Sequence, residues 1–112
     1  MTQPAEYVRA CALSDLPDEG VIGVQVNGLA LAIARTSNEV FAVRDLCSHD
    51  ELPLSDGDVY DFTIECAAHG SCFDLRTGKA TRWPAIRPLT SYPARIEGNA
   101  VLVALPAERP QS

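Results

Sequence analysis

Residues 47–69 read CSHDELPLSDGDVYDFTIECAAH, and this stretch restricts the chain more than any other. Cys47 and His49 are two positions apart, Cys66 and His69 are three apart, and sixteen residues separate the pairs. The chain has only two histidines, and both stand beside a cysteine. Each pair is short enough for both side chains to reach one centre from a single loop, so that two loops clamp it from opposite sides. Zinc would take all four residues in a tetrahedron, because it accepts thiolate and imidazole alike. A two-iron, two-sulfide cluster would divide them, two thiolates on one iron and two imidazoles on the other. Unrelated surface residues are a third reading, and spacing alone does not choose among the three.

The flanking sequence reads as small antiparallel β. YVRACAL (7–13) is a first strand closed by the polar loop SDLPDEG. VIGVQV and LALAIA flank Asn27-Gly28, a pair that tolerates positive φ and marks a hairpin. Val24 and Val26, then Leu29, Leu31 and Ile33, alternate as half-buried strands do. Asn38 turns the chain into EVFAV (39–43), and Thr90–Ile96 and Ala100–Leu105 form a closing hairpin around Gly98-Asn99. No segment sustains a helical period. The middle, with Pro53, Gly57, Gly70, Gly78, Pro84 and Pro88, reads as strand-poor and turn-rich, needing a metal centre rather than an apolar core to hold it.

At 112 residues the chain fits one domain. A net charge of −6 argues against nucleic-acid binding, which needs a basic footprint. No apolar run is long enough for a membrane span, and the N-terminus lacks a secretory pattern, so the expected location is cytoplasmic. In such a compartment disulfides are disfavoured and metal ligation by cysteine gains weight; Cys11, in an apolar stretch, reads as a buried free thiol. Charge is also segregated. Seven carboxylates and no Lys or Arg lie between Asp45 and Glu65, whereas Arg76, Lys79, Arg82, Arg87 and Arg95 follow with no carboxylate among them. Solvated loops explain this, and so does a docking face that orients a charged partner.

Beyond the second pair the sequence continues CAAHGSCFDLRTGKATRWPAIRP. The string C-x-H-(16)-C-x-x-H-G-S-x-F-D-x-x-T-G, with a following Pro, resembles Rieske iron–sulfur proteins, specifically the soluble Rieske-type ferredoxins. A plain zinc site has no need of those flanks. The resemblance covers nearly the whole chain and implies an all-β Rieske fold. Its base, an antiparallel sandwich or barrel, would comprise residues 1–44 and 89–105. A small cluster-binding subdomain would span about 45–88, and a flexible tail 106–112. It further implies one [2Fe-2S] cluster per chain, with Cys47 and Cys66 on one iron and His49 and His69 on the other. Replacing thiolate by neutral imidazole raises the potential above that of all-cysteine clusters. The ring nitrogens left near solvent would take up protons more readily once the cluster is reduced.

Gly70, Ser71, Phe73 and Pro84 match positions that surround the cluster in the family. Gly70 would let the backbone pass close to it, or serve a turn. The Ser71 hydroxyl would donate to a bridging sulfide, or close an ST-type turn. Phe73 stands where high-potential members have a donating Tyr, which places the expected potential near the low end of the Rieske range, roughly −150 mV. Leu52 and Ala68 occupy the places of two further cysteines, so the disulfide of high-potential members is not expected. The resemblance thus leaves Cys72 without a partner at the matching place, and implies that it too is a free thiol. Trp83, Pro84 and Pro88 match the proline-containing covering loop, although Trp83 also suits a junction between subdomains.

A Rieske oxygenase needs a second, mononuclear iron held by two His and a carboxylate. His49 and His69 are both taken by the cluster, and no Gly-rich nucleotide loop is present. The expectation is a monomeric one-electron carrier rather than an enzyme, passing electrons from a flavoprotein reductase to a terminal ring-hydroxylating non-haem iron oxygenase. The small Rieske subunit of assimilatory nitrite reductase and an accessory ferredoxin of cluster assembly are the alternatives, with a zinc-stabilised binding module behind them.

Overall fold

The computed structural model describes residues 5–46, 53–67, 70–82 and 88–106. Eleven strands are assigned among them: β1 (Ala5–Ala12), β2 (Gly20–Val26), β3 (Leu29–Thr36), β4 (Glu39–Arg44), β5 (Asp58–Tyr60), β6 (Thr63–Glu65), β7 (Cys72–Asp74), β8 (Ala80–Arg82), β9 (Ser91–Tyr92), β10 (Ala94–Glu97) and β11 (Ala100–Pro106). They pair antiparallel in three sheets, ordered β1-β11-β10, β2-β3-β4-β9 and β5-β6-β7-β8. The all-β expectation holds. β11 runs to Pro106, one residue into the expected tail.

The sheet β2-β3-β4-β9 is the middle layer, and period-2 alternation supplies both of its faces. Leu31, Ile33, Val40 and Ala42 face one way and pack with Cys11, Val101, Val103 and Leu105 of the β1-β11-β10 sheet. Ala32, Ala34 and Val43 face the other way and pack with Leu54, Val59, Ile64, Phe73 and Leu75. LALAIA is therefore buried on both sides, not half-buried as its alternation suggested. Leucine and isoleucine fill one interface, while alanines let the second sheet come close. Burial pushes the Cys11 thiol above its ordinary pKa, which suits its place as a small apolar residue in the first core.

The turn expectations hold at Asn27-Gly28, where both residues take positive φ, 52° and 81°, as a type I′ hairpin requires. The segment 90–96 departs from a single strand. Pro93 separates β9, which pairs with β4, from β10, which pairs with β11, so the chain changes sheets there. The proline carbonyl accepts from the Ala104 amide at 2.9 Å.

The middle of the chain departs most. Residues 58–82 hold four three-residue strands, and these share an apolar core with the middle sheet. Three residues are too few to display alternation, but Val59, Ile64 and Phe73 all point inward at their centres.

Candidate metal centre

Of the expected ligands, Cys66 is described; Cys47, His49 and His69 lie outside the described residues, as do Pro84, Trp83, Leu52 and Ala68. Among the described residues no three potential ligands gather, as follows when one of four is in view. What can be read is how the fold prepares the ground around them.

The first ligand segment leaves from β4 and returns at Pro53. Its stem is tied by one carboxylate: Asp45 Oδ1 accepts from the Ser55 amide at 2.8 Å and Oδ2 from the Ser55 hydroxyl at 2.7 Å. The second segment is the tip of the β6–β7 hairpin. The Cys66 amide donates to the Ser71 carbonyl at 2.7 Å, and the Gly70 amide donates to the Cys66 carbonyl at 3.1 Å. The two stems adjoin. Gly57, just past the first, lies so close to the Glu65 carbonyl that an added Cβ would land on it. After residues 83–87, the Leu89 amide donates to Gly78 at 2.7 Å and the Arg44 amide to Thr90 at 2.8 Å. Backbone contacts thus tie the first stem to the second at Gly57 and Glu65, and the residues after 83–87 to the end of β4 and to the β7–β8 turn.

Within the second stem Cys66 is 1% exposed. Gly70 has φ +73°, and an added Cβ there would meet only Glu65 Oε2, at 3.5 Å, among the described residues. The positive φ by itself calls for glycine, and it is compatible with both roles. Phe73 is fully buried in the core beneath the loop and offers no donor.

Ser71 is the informative residue. Its side chain is fully buried, and its Oγ has no hydrogen-bond partner among the described residues. A buried hydroxyl left unsatisfied costs about 1–3 kcal/mol, so this position calls for an acceptor. A sulfide of a [2Fe-2S] group beside Cys66 would be one. The donor set and the orphaned hydroxyl fit such a group.

Sequence reasoning passed over several residues that build this region. Glu19, in the loop read only as polar, accepts from the Thr36 hydroxyl (2.7 Å), the Ser37 amide (2.7 Å) and the Asp61 amide (3.2 Å). Those bonds, led by the one from Ser37, hold its carboxyl below the ordinary range. Thr36 Oγ1 in turn accepts from the Phe62 amide at 3.2 Å. Arg76 pairs with Asp74 at 3.2 Å, which holds the Asp74 carboxyl below its ordinary range, and stacks on Phe62 at 4.6 Å. Tyr60 and Glu65 bond to each other at 2.7 Å beside the second stem.

Comparison with known proteins places this geometry. Residues 6–93 match the Rieske [2Fe-2S] domain, and the chain belongs to that family. Its cofactor is accordingly a [2Fe-2S] cluster. Over 105 residues it is 36% identical to the ferredoxin component of the naphthalene 1,2-dioxygenase/salicylate 5-hydroxylase systems of a Ralstonia species, covering 94% of this chain and 99% of that protein. The Sphingomonas yanoikuyae B1 ferredoxin superposes with TM-score 0.83 at 33% identity, over 90% of this chain and all of that one. A chain from the complex of reduced oxygenase and oxidized ferredoxin in carbazole 1,9a-dioxygenase superposes with TM-score 0.80 at 30% identity, over 88% of this chain and 92% of that one.

Proposed function

We propose that this protein is the ferredoxin of a multicomponent ring-hydroxylating oxygenase system, taking single electrons from a flavoprotein reductase to the terminal oxygenase. The observation that carries the reading is the match along nearly the full length of ferredoxin components of such systems. When bound, the cluster supplies one-electron redox chemistry. Cys47 and Cys66 would hold one iron and His49 and His69 the other, on loops whose stems are pinned by Asp45–Ser55 and Cys66–Ser71. The Ser71 hydroxyl would donate to the cluster's sulfur, and Phe73 would exclude water from below. Residues 45–88 would act as the cluster-binding unit, with Pro84 in the segment covering it. The carrier would work as a cytoplasmic monomer. No helix among the described residues is long and apolar enough to cross a membrane.

The test is direct. The purified holoprotein should be brown-red, bleach when mixed with NAD(P)H and the reductase of such a system, and recover colour as the oxygenase is reduced. A colourless zinc protein would overturn the reading. The acidic stretch 45–65 predicts a basic partner surface. Asp50→Lys with Glu51→Lys should slow reduction at low salt and converge with wild type once salt screens the encounter. Equal rates at low salt would remove those two residues from the docking face.

A further inference from the structure

Tyr60 closes β5 on the outer face of the four-stranded sheet and is 41% exposed. Its hydroxyl donates to Glu65 Oε1 at 2.7 Å and lies 3.7 Å from Cys72 Sγ. The Cys72 thiol is also 3.5 Å from the Gly70 carbonyl, to which it donates. These are ordinary lengths for contacts to the larger sulfur atom. Cys72 is 3% exposed, and Glu65 and Cys72 are register partners, the final ladder pair before the second ligand loop.

The positions around that loop give the contacts their meaning. Glu65 immediately precedes Cys66, and Gly70 immediately follows His69. One phenol therefore touches both legs of the hairpin whose tip carries a Cys and a His ligand. Hydrogen supply sets the directions. The phenol's only hydrogen goes to the carboxylate, the shortest contact of the set. The thiol's only hydrogen goes to the Gly70 carbonyl, leaving the phenol oxygen against sulfur. Glu65 first, and Cys72 second, raise the phenol's pKa, so Tyr60 remains a donor far above neutral pH. The ladder ties β5 to the first leg of the hairpin, with Asp58 opposite Glu65, and Tyr60 adds a side-chain contact that reaches across to the second leg at Cys72.

We propose that Tyr60 and Cys72 form a clasp that positions the second ligand loop on the cluster, and so sets the spread of cluster geometry and the reduction potential. The proposal rests on the ligand assignment made above. Both are positioning residues, acting through Glu65 and the Gly70 carbonyl.

The experiment uses the full-length holoprotein with Tyr60→Phe, Cys72→Ala, Cys72→Ser and the Tyr60→Phe/Cys72→Ala double variant. Line widths in the electron paramagnetic resonance spectrum of the reduced state, the midpoint potential and the rate of bleaching by an iron chelator are read on each. Circular dichroism confirms the fold, and Tyr60→Phe removes one atom from a part-exposed ring without opening a cavity. Tyr60→Phe and Cys72→Ala should each broaden the lines, shift the potential in the same direction and speed bleaching by about tenfold, the lower range for groups that orient ligands. Cys72→Ser keeps a donor to Gly70 and should restore all three readouts. The double variant should do less than the sum of the two single changes, because the phenol oxygen and the sulfur touch and each holds the other in place. Folded single variants with wild-type line width, potential and bleaching would overturn the clasp, as would fully additive effects. A wild-type spectrum lacking mixed cysteine and histidine ligation would instead overturn the ligand assignment, and the clasp with it.

Discussion

The long-strand sheets and the short-strand sheet are held by different means. β1 and β11 pair over seven register positions, and β2 and β3 over another seven, so backbone ladders and continuous side-chain rows fix their registers. β5 to β8 pair over two or three positions each. That second region compensates with side chains that bond backbone: Asp45 to Ser55, Glu19 to Asp61, and Thr36 to Phe62. The lesson is that short strands free the chain to present loops at close quarters, while isolated polar clamps take over the work of a long ladder.

Matched truncations should break this contrast most strongly. Phe73→Ala empties the centre of the short-strand core and should cost about 3–5 kcal/mol. With few ladder bonds to hold register, it should also abolish the visible spectrum after reconstitution. Leu31→Ala in the long-strand core should cost a similar amount, about 2–5 kcal/mol, yet leave the spectrum intact in the folded fraction. Loss of colour in both, or in neither, would show that the regions do not differ as described. Denaturant titration and absorbance measure the two quantities.

A smaller effect belongs to the clamp between layers. Thr36→Val keeps shape but removes the hydroxyl that receives the Phe62 amide and donates to Glu19. The unsatisfied groups should cost about 1–3 kcal/mol. Amide exchange should accelerate in residues 58–66 and stay unchanged in β1 and β11; uniform acceleration would contradict a local clamp.

Smallest is the acid limb of stability contributed by Glu19. Its folded pKa is depressed from an ordinary 4.5, so its contribution is present above 4.5 and fades as pH falls through the depressed value. The unfolding midpoint of wild type should drop over that window, and Glu19→Gln should flatten the drop. An unchanged slope would assign acid sensitivity to other carboxylates, Asp74 beside Arg76 being the next.

What could be read from the sequence follows the same division. Hairpins around Asn27-Gly28 and Gly98-Asn99 are visible because their turn residues and flanking alternation agree. Cys66, Gly70, Ser71 and Phe73 are visible through the motif that contains them. The short strands are not, since three residues carry no period. Their β5–β6 turn is Asp61-Phe62 at φ 50° and 61°, and a bulky aromatic in that region is no turn signal. It persists because Thr36 bonds the Phe62 amide and the Leu75 amide donates to the Phe62 carbonyl at 2.8 Å. Pro93 looked like a strand interior, but its missing N–H marks where the chain leaves one sheet for another. Glu19 and Tyr60 act across 17 or more and 5 or more positions respectively, on partners that only the fold brings near.

The central claim is that the stem from Cys66 to Ser71 is shaped around a sulfide-bearing cluster, with a hydroxyl waiting for an acceptor. The midpoint potential of the Ser71→Ala holoprotein tests it most directly. Loss of a donor to cluster sulfur leaves the reduced state less stabilised, so the potential should fall below that of wild type. A folded, fully loaded variant with an unchanged potential would contradict the account.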